Sequence, residues 1–111
     1  MHEMSLVEEL LEQAERIAAE HRCQIEEVFV SVGPLAGVEP QLLQSAFDTL
    51  APAGARLVID EIALRLRCES CGQEFEPERL RLDCPACESG NCKVLAGDAL
   101  MFQRVTLIRP D

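Results

Sequence analysis

Cys68-Glu-Ser-Cys71 and Cys84-Pro-Ala-Cys87 are the stretches that decide how the second half of this chain folds. Each is a Cys-x-x-Cys knuckle, and the 12 residues at 72–83 separate them. A hairpin of that length brings the second knuckle back to the first, so that four sulfurs meet at one tetrahedral point. Zn(II) accepts four thiolates without redox chemistry, which predicts a structural zinc site. Four protein ligands leave no position open for a substrate.

The same cysteines leave other interpretations open. They could form two disulfides, or one knuckle could act as a redox dithiol of the thioredoxin kind. Redox dithiols usually precede a helix, and neither knuckle is followed by an apolar pattern with a convincing helical period. Cys92 could compete as a metal ligand, but we expect Cys92 and Cys23 to be packed or idle thiols.

Length and charge exclude several classes of protein. The 111 residues allow one modest domain with a small appendage. No apolar stretch reaches the roughly 20 residues of a membrane span, so we expect no membrane association. Six cysteines behind a start that does not resemble a signal peptide predict a reducing, cytoplasmic location. A net charge of −10 would repel DNA or RNA over most of the surface, so we expect no nucleic-acid partner.

Apolar spacing predicts a helix at 5–22, a strand at 25–32, a second helix starting near Glu39-Pro40, a long strand at 56–67 and a last strand at 99–108. Ser5 and Glu8 match a capping box at the start of the first helix. The predicted fold is α+β, with two helices on one face of a three-stranded sheet and a zinc-ribbon-like module inserted before the last strand. The predicted domains are 1–67 plus 97–111, which hold the helices and the sheet, and 68–96, which bind zinc.

Met1-His2-Glu3 is the second stretch that carries chemistry. The terminal amine of Met1, the backbone nitrogen of His2 and its imidazole could chelate one metal ion. The backbone nitrogen of Glu3 could be a fourth planar donor. Deprotonated backbone nitrogens suit square-planar Ni(II) or Cu(II) and suit zinc poorly. Many chains can begin Met-His without such a function, so these residues alone do not decide the question.

A family resemblance is carried, in this order, by Met1-His2-Glu3, Met4-Ser5-Leu6, Val32-Gly33 with Gly37-Val38-Glu39-Pro40, Ser45-Ala46-Phe47 and the two knuckles. Together these segments resemble the HypA/HybF family of nickel metallochaperones, which serve [NiFe]-hydrogenase maturation. The resemblance spans essentially the whole chain. It implies a nickel-binding α/β domain joined to a zinc domain, which agrees with the predicted order of elements.

The resemblance also implies the metals and their ligands. His2 and Glu3 would bind Ni(II) transiently, together with the amine of Met1, and Glu39 would lie near the nickel. Zn(II) would bind to Cys68, Cys71, Cys84 and Cys87. Some relatives place histidines beside the zinc cysteines, and this chain has none between Cys68 and Cys92.

The implied function is that of a carrier, and the sequence shows no catalytic constellation, so we do not expect an enzyme. The implied partners are the GTPase HypB and the hydrogenase large-subunit precursor, and some members also serve urease. The carrier would be a monomer or a homodimer. Two alternatives are a zinc-ribbon module that binds protein partners or transcription machinery without nickel, and a redox switch using the knuckle cysteines.

Overall fold

The computed structural model describes residues 2–110, apart from the side chain of Leu80. The fold is α+β, as predicted. Its described elements, in chain order, are α1 (Glu3–Glu20), β1 (Gln24–Val32), α2 (Pro40–Leu50), β2 (Arg56–Glu61), β3 (Arg65–Cys68), β4 (Glu74–Phe75), a 3-10 turn (Glu78–Leu80), β5 (Cys92–Ala96) and β6 (Leu100–Ile108).

The strands form two sheets. The first has three strands in the order β2-β1-β6, which confirms that the predicted strands outside the cysteine region lie in one sheet. The second also has three strands, in the order β4-β3-β5, and β3 pairs antiparallel with both neighbours. The cysteine module is therefore inserted before the last strand, as the sequence predicted.

The single long strand predicted at 56–67 is wrong. The chain leaves the first sheet after Glu61 and enters the second at Arg65. Ile62 still donates its N–H to the carbonyl of Val32 at 2.9 Å, but β3 then pairs with β4 and β5. Alternation of apolar residues with period two indicates that a segment is extended, but it does not indicate which strands the segment pairs with. The apolar residues at 62, 64 and 66 could therefore not reveal the change of sheet.

The predicted start of the first helix is also wrong, by two residues. α1 begins at Glu3, with His2 as the N-cap residue, so Ser5 lies inside the helix and does not cap it. His21 and Arg22 follow the helix instead of completing its last turn. Glu3, the first residue of α1, makes a tertiary contact, described below, which no local capping pattern encodes.

The chain divides into two compact units. The first comprises the chain up to Ser31, Val38–Asp60 and the chain from Met101 onward. In this unit α1 and α2 pack against each other. Among the residues that the structure describes, no helix is both long and apolar enough to cross a membrane. The largest fully buried side chain of this unit is Phe47, whose burial stabilises the fold by about 1.5–3 kcal/mol. The other buried apolar residues of this unit include Val7, Leu10, Leu11, Ala14, Val28, Val30, Leu43, Ala46 and Leu57.

The second unit comprises Val32–Gly37 and Glu61–Leu100 and has its own small core. Leu64, Leu66 and Phe75 are buried together with two of the cysteine side chains, Cys68 and Cys84. Few apolar residues remain to stabilise a unit of this size, so a bound metal ion would add substantially to its stability.

Candidate metal centres

Each Cys-x-x-Cys knuckle is closed by the same pair of backbone hydrogen bonds. In the first knuckle Cys68 donates its N–H to the carbonyl of Gln73 at 2.9 Å, and Gly72 donates to the carbonyl of Cys68 at 2.8 Å. The second knuckle repeats both bonds at 2.9 Å, with Cys84, Ser89 and Glu88 in the matching positions. The two halves of the candidate site are therefore built alike, and each turn is closed by its own backbone hydrogen bonds.

The two knuckles differ in the residue at one turn position. Gly72 has φ +80°, and its counterpart Glu88 has φ +62°. An L-residue with a side chain is strained in this left-handed region by about 1–2 kcal/mol. Glycine is thus the expected residue after Cys71, whereas the second knuckle tolerates the strain of a glutamate.

The four sulfurs of Cys68, Cys71, Cys84 and Cys87 all lie within 4.8 Å of one another. The Cys68 and Cys87 sulfurs are 3.5 Å apart, and the Cys71 and Cys84 sulfurs are 3.7 Å apart. A tetrahedral ion with metal–sulfur bonds of about 2.3 Å would place its ligands about 3.8 Å apart. The cluster therefore has the dimensions of a four-thiolate site and could hold a metal ion such as zinc.

The pKa values of two cysteines in this cluster, Cys68 and Cys87, are shifted in opposite directions. The N–H of Cys71, helped by that of Ser70, lowers the pKa of Cys68 to about 6 despite burial. The N–H of Ser89 lowers the pKa of Cys87, but the Cys68 sulfur and burial outweigh it and raise that pKa to about 12. One thiolate therefore forms readily and opposes the next, and a divalent cation would offset this repulsion.

Two polar contacts and a fifth thiol surround the cluster. The hydroxyls of Ser70 and Ser89 lie 3.0 Å apart and join the two knuckles. The backbone N–H of Ala86 donates to the Cys84 sulfur at 3.4 Å. Cys92 is half-buried against the cluster and donates to the carbonyl of Ser89 at 3.7 Å. Burial, followed by the nearby Cys68, raises the pKa of Cys92, so it resists ionisation as a further ligand.

At the other candidate site, the side chain of His2 is exposed immediately before α1. Its carbonyl accepts the N–H of Leu6 at 3.1 Å, the first hydrogen bond of the helix. Glu39 is also exposed and is the N-cap residue of α2. The predicted ligand amine of Met1 lies outside the described residues.

Glu3 is the predicted ligand whose surroundings the sequence did not reveal. Its side chain is only 6% exposed, and its Oε2 accepts the backbone N–H of Glu39 at 3.2 Å. The positive amino end of the chain, followed by this N–H, lowers the pKa of Glu3 to about 2 and outweighs burial. The structure thus brings together Glu3 and the backbone of Glu39, which are 36 positions apart in the chain.

The fold and the sulfur cluster define a class: an α+β protein with a second sheet that carries a four-cysteine cluster able to hold a metal ion. Comparison with known proteins identifies the family. Residues 1–107 match the family model described as "HypA: Hydrogenase/urease nickel incorporation, metallochaperone". The chain belongs to the HypA family, a family of nickel metallochaperones for hydrogenase maturation, and the resemblance seen in the sequence is confirmed.

Relatives and solved structures agree with this assignment. The chain is 40% identical to the hydrogenase maturation factor HypA of Shewanella halifaxensis, over 96% of this chain and 97% of that protein. It is 37% identical to HypA of Aquifex aeolicus, with the same coverage of each chain. The solution structure of the Ni metallochaperone HypA from Helicobacter pylori superimposes with a TM-score of 0.70 at 27% identity, covering 99% of this chain and all of that one. A second HypA solution structure gives 0.75 at 28% identity, covering 99% and 98%.

Proposed function

We propose that this protein binds Ni(II) at its amino end and delivers it for the maturation of [NiFe]-hydrogenase, while its four knuckle cysteines hold a structural Zn(II) ion. The observation that carries the proposal is the exposure of the His2 imidazole directly before the first turn of α1, where the buried side chain of Glu3 is hydrogen-bonded to the backbone of Glu39. A ligand in this position can bind an ion and release it without any unfolding of the chain. The proposed function is transport and not catalysis.

The ligands proposed for nickel are the imidazole of His2, the terminal amine of Met1 and backbone nitrogens that include that of Glu3. Glu39, exposed at the start of α2, lies across the hydrogen bond from Glu3 and would complete the surroundings of the ion. Nitrogen donors of this kind suit Ni(II) in planar geometry and discriminate against zinc. Acid should weaken binding, because the imidazole and the amine must lose their protons before they can coordinate.

The ion proposed for the sulfur cluster is Zn(II). The separations of 3.5 and 3.7 Å between paired sulfurs support tetrahedral coordination by Cys68, Cys71, Cys84 and Cys87. When bound, the zinc would supply positive charge that stabilises four neighbouring thiolates. With all four positions taken by protein, this ion would remain in place as part of the fold.

Delivery is proposed to occur by ligand exchange in the cytoplasm, with the GTPase HypB and the hydrogenase large-subunit precursor as partners. Each donor of the exposed site can be replaced in turn by a donor of the acceptor protein. Nickel therefore passes between proteins without appearing as the free aqueous ion. Transfer should depend on His2 and should leave the zinc content of the carrier unchanged.

Isothermal titration of nickel into untagged protein tests the proposal. The wild type should bind one Ni(II), and His2→Ala should bind at least about tenfold more weakly, because it removes an imidazole ligand. His21→Ala is the matched control: His21 is the other of the 2 histidines, is exposed and lies at the far end of α1. Equal affinity in the wild type and His2→Ala would refute the proposal.

A second arm tests the amine of Met1 separately. Extra residues added before Met1 remove the amine from the chelate while leaving the imidazole of His2 in place. The extended protein should bind nickel more weakly than the untagged protein. Unchanged affinity would exclude the amine as a ligand without excluding His2.

A further inference from the structure

The buried carboxylate of Glu3 has a structural role that its position in the sequence does not suggest. Glu3 is the first residue of α1, and its side chain is 6% exposed although it carries a charge. Carboxylates are buried in this way only when hydrogen bonds replace the lost water. Here one such bond is the N–H of Glu39 donating to Glu3 Oε2 at 3.2 Å.

This hydrogen bond joins the starts of two helices. Glu39 is the N-cap residue of α2, and it precedes Pro40, which has no N–H of its own. On the other side, the carbonyl of His2 is held by the N–H of Leu6 in the first turn of α1. The backbone segments that carry His2 and Glu39 are thereby fixed relative to each other by the side chain of Glu3.

We propose that Glu3 is a positioning residue for the nickel site: its carboxylate holds the first turn of α1 against the Glu39 amide, and it is not itself a nickel ligand. The inference rests on the proposed function, which makes His2 the ligand that is positioned. It assigns different roles to two parts of one residue, because the backbone nitrogen of Glu3 can coordinate while its side chain anchors. The unbound protein would then hold His2 in place in advance, which lowers the entropic cost of binding the ion.

The test compares Glu3→Gln with Glu3→Ala. Glutamine keeps an oxygen that can accept the Glu39 N–H but loses the charge and most of the affinity for a metal, whereas alanine loses the hydrogen bond altogether. Loss of a charged hydrogen bond should weaken nickel binding by Glu3→Ala about tenfold, and Glu3→Gln should recover affinity to within about threefold of the wild type. The ligand-field absorption of bound nickel should be the same in Glu3→Gln as in the wild type. Glu8→Gln, an exposed glutamate of the same helix, is the matched control.

A measurement without nickel separates this inference from the proposed function. The Glu39 amide proton should be protected from hydrogen exchange in the wild type and in Glu3→Gln, and should lose that protection in Glu3→Ala. This readout is informative even if His2→Ala binds nickel as well as the wild type does, which would refute only the proposed function.

Three results would overturn the positioning role. One is a Glu3→Gln protein that binds nickel as weakly as Glu3→Ala, or with an altered spectrum, because the carboxylate would then act as a ligand. Another is a Glu3→Ala protein that binds nickel as tightly as the wild type. The last is a Glu39 amide whose exchange is the same in all three proteins. If Glu3→Ala fails to fold, Glu3→Gln with its spectrum still decides between a ligand and a positioning residue.

Discussion

The two candidate metal sites differ in how the chain holds their donor atoms. The sulfur cluster lies between two similar knuckles, each of which contributes one buried cysteine, Cys68 or Cys84, and one exposed cysteine, Cys71 or Cys87. The His2 imidazole is exposed, and only the backbone beside it is anchored, through Glu3. An ion held by four converging protein ligands leaves slowly, whereas an ion at an exposed chain start can leave one ligand at a time. Under the proposed function, retention and delivery of metal would therefore be assigned to different parts of one small protein.

Breaking the sulfur cluster should have the largest effect. Cys84→Ser removes a buried ligand, and because metal binding contributes about 10–16 kcal/mol in small zinc modules, we expect the second unit to lose its zinc and its fold. Metal analysis should show less than about a tenth of an equivalent of zinc. The helices of the first unit should persist in circular dichroism, and nickel should still bind. Full zinc content in Cys84→Ser would contradict the assignment of this ligand.

Acid should remove the stabilisation by the Glu3 carboxylate over an unusually low range of pH. Its pKa is lowered from an ordinary 4.5 to about 2, so the folded protein binds fewer protons than the unfolded chain between these values. The stabilisation by this carboxylate is therefore complete above about pH 4.5 and is lost as the pH falls through 2. A carboxyl-carbon NMR titration should give a midpoint near 2 for Glu3. A midpoint at the ordinary value would show that the anchoring contacts are absent in solution.

Substitutions at the left-handed turn position of each knuckle should have smaller effects on stability. Glu88→Gly relieves a left-handed backbone and should stabilise the metal-loaded second unit by up to about 1 kcal/mol. Gly72→Ala introduces the same strain in the first knuckle and should destabilise it by about 1–2 kcal/mol. Denaturant unfolding of the zinc-loaded protein measures both changes. Effects of the same sign would show that the two turns are not equivalent.

Replacing the fifth thiol should have the smallest effect. Cys92→Ser removes a half-buried thiol whose pKa is raised, so it should leave the zinc content at one equivalent and change chelator resistance by less than about twofold. Zinc release to a coloured chelator provides the measurement. A large gain or loss of zinc in this variant would make Cys92 a ligand.

Local patterns predicted the features that depend on local chemistry. The spacing of Cys68, Cys71, Cys84 and Cys87 predicted a four-sulfur cluster, because each knuckle is a turn closed by its own backbone. The start of α2 was also predicted, since Pro40 fits only the first turn of a helix.

Features that depend on distant contacts were not predictable in this way. The hydrogen bond from Glu39 to Glu3 joins residues far apart in the chain, and the Ser5–Glu8 pattern suggested a different helix start. The break between β2 and β3 left the apolar alternation intact, so only strand pairing could reveal it. The left-handed backbone conformation of Glu88 could not be predicted from the sequence, because glutamate rarely adopts that conformation.

The most direct test of the division between the two sites is a chelator challenge of untagged protein loaded with both metals, followed over time by metal analysis. The nickel should leave within minutes, and the zinc should remain for hours, because only the zinc is enclosed by four protein ligands. The His2→Ala protein should begin with zinc alone and keep it at the same rate. Loss of the two metals together, or of zinc before nickel, would contradict the account.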